Sequence, residues 1–325
     1  MKLLALVVVL SGAGAALFAA GVFSSGGADA RPAATRTVER LAPPLPAEDL
    51  QREVGPLPEP AGASRVDLAQ PSLLAGLRLK RGPKAGLAFD LADGTILWRR
   101  HATAVRPIAS LTKIMTALLA VERFEEDDTV RVPRVSDEVG GSRISGLKPG
   151  RHVNANVLLK ALLISSSNNA AVTLAVAGAG SERAWVALMN KRAELLGLTC
   201  THFADAHGLD RRNRSCAADL AALAMRAMND PRIARIARKS YARVWPGAGP
   251  KFTLYTTNHL LRDRYPGAIG LKTGYTNPAG FCLVAIVERA GRRIGIVLLG
   301  SRDAFRDARR IAREAARAGA LPAPS

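Results

Sequence analysis

Pro107-Ile108-Ala109-Ser110-Leu111-Thr112-Lys113-Ile114-Met115-Thr116-Ala117 is the stretch from which the rest of the chain can be read. Proline ends whatever precedes it. Apolar residues then recur at helical spacing through Leu111, Ile114, Met115, Leu118 and Leu119. The spacing predicts a helix with Ser110 in its first turn, where unpaired backbone N–H groups and the positive end of the dipole favour negative charge. Lys113 falls one turn further along the same face. A serine hydroxyl is a poor nucleophile until a base takes its proton, and a lysine can do that only if it is held neutral. Taken alone, Ser-x-x-Lys reads first as a helix cap followed by a surface lysine.

Outward from this stretch, residues 85–91 and 95–98 flank Asp93-Gly94, the signature of a hairpin. Downstream, a short strand is predicted over 129–132. An apolar helical run over 157–164 stops at Ser165-Ser166-Ser167-Asn168-Asn169, and a second helix starts at Ala170. Polar residues between two apolar helices are ordinarily a capped turn. Further helices are predicted over 184–196, closed by Gly197, and over 217–228. The end of the chain is rich in strands, over 253–255, 269–276, 281–287 and 294–299. An Arg-rich amphipathic helix follows over 304–318. Helices placed between an early hairpin and three late strands predict an α/β (α+β) fold: one antiparallel sheet from both chain ends, with an inserted helical region.

The chain has 325 residues, 48% of them hydrophobic, enough for a substantial core. Residues 1–30 stand apart: Met1-Lys2, an apolar Ala/Gly-rich run, then Ala28-Asp29-Ala30 as a cleavage point. They read as a secretory signal peptide, with an uncleaved anchor as the alternative, and so place the domain outside the cytoplasmic membrane. Residues 31–79, rich in Pro and Ala, read as an extended tether, and residues 80–320 as the folded domain. The net charge of +19 suggests anionic envelope polymers or lipid headgroups as contacts. An aromatic content of 5%, without any nucleic-acid motif, argues against nucleic acid. Three cysteines are too few for a disulfide scaffold. Cys200 and Cys216 bracket one short loop and could pair in an oxidising compartment, whereas Cys282 sits in an apolar strand.

Three motifs then occur in order: Ser110-x-x-Lys113, Ser166-x-Asn168 and Lys272-Thr273-Gly274. Each is weak alone. Together they form the signature of active-site serine penicillin-recognising enzymes. Over residues 84–317 the chain resembles the low-molecular-mass penicillin-binding D-Ala-D-Ala carboxypeptidases, the S11 serine peptidases. Besides the motifs, the resemblance rests on Arg106-Pro107-Ile108-Ala109, Met189-Asn190, Leu196-Gly197-Leu198, Thr201-His202-Phe203, His207-Gly208-Leu209 and Gly270-Leu271 to Tyr275-Thr276. Ser167, Asn169 and Ile269 depart from residues common in the family, at positions with no chemical role. The chain ends soon after Lys272, so the resemblance points to the short, endopeptidase-like branch without a second β-rich domain or C-terminal anchor.

The resemblance implies a penicillin-binding protein/β-lactamase-like fold and an acyl-enzyme on Ser110. Lys113 would be the base, kept neutral by burial and by the neighbouring Lys272 cation. Ser166 would relay a proton to the departing amine, and Asn168 would bind Lys113 and the substrate amide. Lys272 and Thr273 would hold the substrate carboxylate, while Gly274 lets backbone approach closely. The N–H groups of Ser110 and Tyr275 would form an oxyanion hole. The implied partners are peptidoglycan stem peptides, with β-lactam antibiotics as covalent inhibitors, and neither metal nor cofactor is expected. Two rivals stand beside this reading. A β-lactamase on the same fold would need a water-activating carboxylate, for which Glu182, Glu194 and Asp205 are the candidates. A non-catalytic peptidoglycan-binding module would lack the nucleophile or the base. His202 and His207 form no zinc-peptidase motif and read as loop histidines capping backbone groups.

Overall fold

The computed structural model describes residues 65–247 and 250–323. The expected signal peptide and most of the expected tether lie outside the described residues. Eleven strands are present among the described residues. The two longest come late: β10 (Gly280–Arg289) and β11 (Arg292–Ser301), joined by a tight turn at Gly291. With β1 (Ala85–Asp90), β2 (Ile96–Arg100) and β9 (Ala268–Thr276) they form one antiparallel sheet, in the order β2-β1-β11-β10-β9. First and last strands therefore lie side by side, as the apolar patterning predicts.

Both faces of the sheet are covered, which is why its central strands are apolar almost throughout. Side chains alternate between faces with period two. Val284, Ile286, Val297 and Leu299 join the core formed with the helical region. Leu283, Ala285, Ile296 and Leu298 instead meet α8 (Ala304–Arg317), through its stripe of Ala304, Ala308, Ile311, Ala312 and Ala315.

The helical region contains α1 (Lys113–Arg123), α2 (Ala155–Ile164), α3 (Asn168–Ala179), α4 (Glu182–Leu195) and α5 (Ala217–Asn229). A short helix, α6 (Pro231–Ala237), and α7 (His259–Arg262) follow. Three small antiparallel pairs tie the connections together: β3 (Arg106–Pro107) with β6 (Arg214–Ser215), β4 (Thr129–Arg131) with β5 (His152–Asn154), and β7 (Tyr241–Val244) with β8 (Phe252–Tyr255).

Three features differ from expectation. Ser110 precedes the α-helix and lies in a 3₁₀ turn, Ala109–Thr112, that leads into α1 at Lys113. Such a turn has three residues per revolution, so residues i and i+3 eclipse, and Ser110 is aligned with Lys113 more directly than an α-helix would align them. Second, α6 and β7 were not expected. Asp230 caps α6, accepting from the N–H groups of Arg232 and Ile233, with Pro231 at its first position. Third, residues 65–79, expected within the tether, lie on the domain. The N–H groups of Leu73 and Leu74 donate to the carbonyls of Ile96 and Leu97 at 3.0 and 2.7 Å, and Trp98 Nε1 donates to Leu77 O. The segment thereby covers the β2 edge of the sheet.

Candidate active site

Ser110, Lys113, Asn168 and the backbone of His207 meet at one point. Lys113 is fully buried. Its Nζ lies 3.0 Å from Ser110 Oγ and 2.6 Å from Asn168 Oδ1, and it also contacts the carbonyl oxygen of His207. Burial, reinforced by the charge of Lys272, holds its pKa well below the ordinary lysine value, while Asp205 pulls the other way. A neutral amine has two N–H donors and one lone pair. Asn168 Oδ1 and His207 O take the two donors. The lone pair is then left for the hydroxyl of Ser110, the arrangement a general base requires.

The turn that carries Ser166 and Asn168 joins α2 to α3. Ser167 caps α3, accepting from Ala170 N–H, and Ser166 just before it holds a left-handed backbone, φ 59°. A serine in that region costs about 1 kcal/mol or more, strain that concentrates at functional positions. Asn168 is fixed from both ends: its N–H donates to Ser142 O at 2.6 Å and its Nδ2 to Gly140 O at 2.7 Å, leaving Oδ1 for Lys113. Ser166 Oγ faces Lys272, whose Nζ donates to it at 2.8 Å and to Thr273 O at 2.9 Å. Burial alone draws Lys272 down to about 7. The two motif lysines thus sit in adjoining clusters, and the charge on Lys272 helps to hold Lys113 neutral.

The third motif lies on β9, an edge strand of the sheet. At Gly274 a Cβ would stand 3.0 Å from Ser110 N and 3.1 Å from Ile108 O, tight enough that the backbone around Ser110 would have to give by a few tenths of an ångström. Glycine lets this strand run close past Ser110. Thr273 Oγ1 shares a 2.5 Å hydrogen bond with Thr257 Oγ1. Tyr275 is exposed, its ring 4.6 Å from that of Phe281. The seven motif residues therefore converge on one corner, between the β9 edge and the helical region, with Tyr275 next along β9.

Three contributors carry no motif. Asp205 accepts hydrogen bonds from the N–H groups of His207 (2.9 Å), Gly208 and Asp210 (2.7 Å), and so folds the loop that turns His207 O onto Lys113. Glu182 accepts from Ala206 N–H at 3.0 Å and buttresses the same loop. The imidazole of His207 lies between these two carboxylates, 3.4 Å from Asp205 and 3.5 Å from Glu182, with burial lowering its pKa. Its carbonyl, and not its ring, enters the site. Thr257 is the other residue missed. The Asp-x-His-Gly spacing is that of an Asx-type turn, the available sequence signal for Asp205. Cys200 and Cys216 are joined in a disulfide across the base of this loop, with Cα atoms 5.5 Å apart.

Comparison with known proteins places this geometry. D-alanyl-D-alanine carboxypeptidase DacB2 of Mycobacterium tuberculosis is 38% identical over 216 residues, covering 66% of this chain and 73% of the relative. A D-alanyl-D-alanine endopeptidase of Pseudomonas aeruginosa is 32% identical over 266 residues, covering 78% and 85%. The crystal structure of the Streptomyces K15 DD-transpeptidase superposes with a TM-score of 0.67 at 28% identity, covering 75% of this chain and 100% of that one. Residues 81–303, which contain all three motifs, match the model of the D-alanyl-D-alanine carboxypeptidase family. The chain belongs to that family, the S11 peptidases.

Proposed function

We propose that the protein is a serine D-alanyl-D-alanine peptidase acting on peptidoglycan stem peptides, either releasing a terminal D-alanine or opening a cross-link made through D-alanine. The observation that carries this reading is the buried, charge-depressed Lys113 with its amine against Ser110 Oγ. Ser110 Oγ attacks the carbonyl carbon of the penultimate D-alanine as Lys113 takes its proton. The N–H groups of Ser110 and Tyr275 receive the oxyanion. The C–N bond then breaks, Ser166 passes a proton to the leaving amine, and water hydrolyses the ester on Ser110. Lys272 and Thr273 hold the substrate carboxylate, and Asn168 orients Lys113 and the peptide amide.

The three acidic candidates for a β-lactamase-type base are each engaged elsewhere. Glu194 pairs with Lys191 at the surface, Glu182 with Ala206 N–H, and Asp205 with its own loop. That supports a peptidase over a β-lactamase. Export through residues 1–30 is part of the same proposal and agrees with a disulfide in the domain, a bond favoured in oxidising compartments. Intact-mass analysis after exposure to benzylpenicillin should show one covalent adduct that Ser110→Ala abolishes. An adduct persisting in that variant would refute the assignment. Digestion of cross-linked and uncross-linked muropeptides, read by mass spectrometry, measures the balance between the two activities.

A further inference from the structure

Thr257 stands at the catalytic corner without belonging to a motif, and the chain fixes it there from two sides. It lies just beyond the end of β8. Its backbone N–H donates to the carbonyl of Ile164, the last residue of α2, at 3.1 Å. The next residue, Asn258, is buried. Its Nδ2 donates to Gly270 O on β9 at 3.2 Å, while its Oδ1 caps α7 by accepting from Leu260 N–H at 3.0 Å. Thr256 Oγ1 in turn accepts from Asn258 N–H at 3.1 Å. Thr257 is thereby hung between the elements that deliver the second and third motifs: α2, which ends just before Ser165 and Ser166, and β9, which carries Lys272 and Thr273.

The side chain of Thr257 is exposed, and a β-branched residue has few rotamers to choose from. Its hydroxyl lies 2.5 Å from Thr273 Oγ1, at the short end for an O–H···O bond. A hydroxyl has one proton and two lone pairs. One proton therefore bridges the two oxygens, and the other is left for a ligand. If Thr273 donated to Thr257, Thr273 would turn only lone pairs towards an anion in the site. If Thr257 donates to Thr273, the Thr273 proton is free for that anion. The second order forms an aligned chain, Thr257 to Thr273 to carboxylate, in which each bond polarises the next.

We infer that Thr257 is a positioning residue for the reaction: its hydroxyl orients that of Thr273 onto the carboxylate of the residue that follows the scissile bond. The inference rests on the peptidase reading above and deepens it. Selection for a free carboxylate beside the scissile bond then belongs to a pair of threonines as well as to Lys272. Thr257 acts through Thr273 and leaves the reacting atoms to Ser110 and Lys113.

The test uses the full-length protein and measures second-order acylation rate constants at pH 7 for benzylpenicillin, whose carboxylate stands in for that of the substrate, and for its methyl ester. The readout is the preference for acid over ester. Thr257→Val removes the hydroxyl and keeps the shape, and should lower the preference about fivefold, on the order of one net hydrogen bond. Thr257→Ser keeps the hydroxyl and should restore most of it. In Thr273→Val protein, adding Thr257→Val should lower the preference no further, because the hydroxyl to be oriented is already gone. Acid and ester slowed by the same factor in Thr257→Val would mark a merely structural tie between α2 and β9, and would overturn the inference. So would an undiminished preference in Thr257→Val, a failure of Thr257→Ser to restore it, or a full further loss in the Thr273→Val background, the mark of direct contact between Thr257 and the carboxylate. Each of these results leaves adduct formation by the unmodified protein intact. Lack of any adduct there, with either ligand, would instead bring down the peptidase reading itself.

Discussion

Lys272 carries the most exposing prediction, because in the proposed reaction one buried ammonium must both hold a carboxylate and keep Lys113 neutral. Burial pushes its pKa down to about 7. One unit above that value about one molecule in eleven keeps the charge. The rate constant for acylation at low ligand concentration reports the free enzyme, so its alkaline limb should fall from near pH 7 for any ligand whose carboxylate meets Lys272. A charge-assisted hydrogen bond contributes about 1.5–3 kcal/mol, so the limb should descend by roughly 10- to 100-fold before levelling. At acid pH the rate should fall again as Lys113 takes a proton and its lone pair is lost.

The assay is stopped-flow acylation by benzylpenicillin and by its methyl ester between pH 5 and 10. The free acid should show both limbs. The ester has no carboxylate to pair with Lys272, and should keep the acid limb while losing most of the alkaline one. At saturating ligand the bound carboxylate stabilises the ammonium, moving the alkaline limb of the maximal rate to higher pH. An ester profile that falls above pH 7 as steeply as that of the acid would refute Lys272 as the carboxylate's partner.

The same depressed pKa has a consequence for stability. Between about 7 and the ordinary value of 10.5 the unfolded chain binds a proton at Lys272 that the folded protein does not, so stability rises with pH across that window. Lys272→Met should therefore raise Tm more at pH 6 than at pH 9, and an equal gain at both would contradict a buried, depressed lysine. At Gly208 the backbone is left-handed, φ 94°, and a Cβ would stand 2.1 Å from Ala109 O. Gly208→Ala should cost roughly 1–3 kcal/mol from the backbone conformation alone and slow acylation at least a hundredfold, read by intact mass against time. Cys200→Ser with Cys216→Ser frees the ends of a loop that spans sixteen positions. On the chain-entropy estimate this removes about 3 kcal/mol, a Tm fall of roughly 6–12 °C by calorimetry. Unchanged Tm, or free thiols at both positions in the active protein, would end the structural role of the bridge.

What could be read from the chain, and what could not, divides along physical lines. The sheet was legible because both of its faces are buried. Runs such as Phe281-Cys282-Leu283-Val284-Ala285-Ile286-Val287 have the length and the β-branched content of a buried strand, and Ala290-Gly291 turns one of them back onto the next. Ser110, Lys113, Ser166, Asn168 and Lys272 were legible because it is their side chains that meet in the candidate site, and a side chain announces itself in a sequence. Pieces settled by tertiary contact were not. Residues 65–79 look like linker because their apolar residues follow no period, although Leu74, Leu77 and Leu79 pack on the domain and Leu73 and Leu74 bond to it through backbone. Strand β7 is only four residues long and shows its alternation over too short a span to be told from loop.

The hardest part to foresee is also the part nearest the chemistry. Lys113 needs two acceptors to leave its lone pair free, and one of them is the carbonyl of His207. Every residue has a carbonyl, so nothing at position 207 marks it. The visible histidine directs attention to its ring, which lies between Glu182 and Asp205. The informative residue is Asp205, two positions earlier. Its carboxylate gathers three N–H groups and, in doing so, aims a group it does not touch. A base assembled from a side chain and a backbone carbonyl tolerates change at His207 better than at Asp205 or Gly208. His207→Gln should retain most of the acylation rate, whereas Asp205→Ala should lose about tenfold or more, by the ~1.4 kcal/mol or greater cost of leaving buried donors unpaired. The opposite order of damage would mean that the imidazole, and not the loop's backbone, serves Lys113.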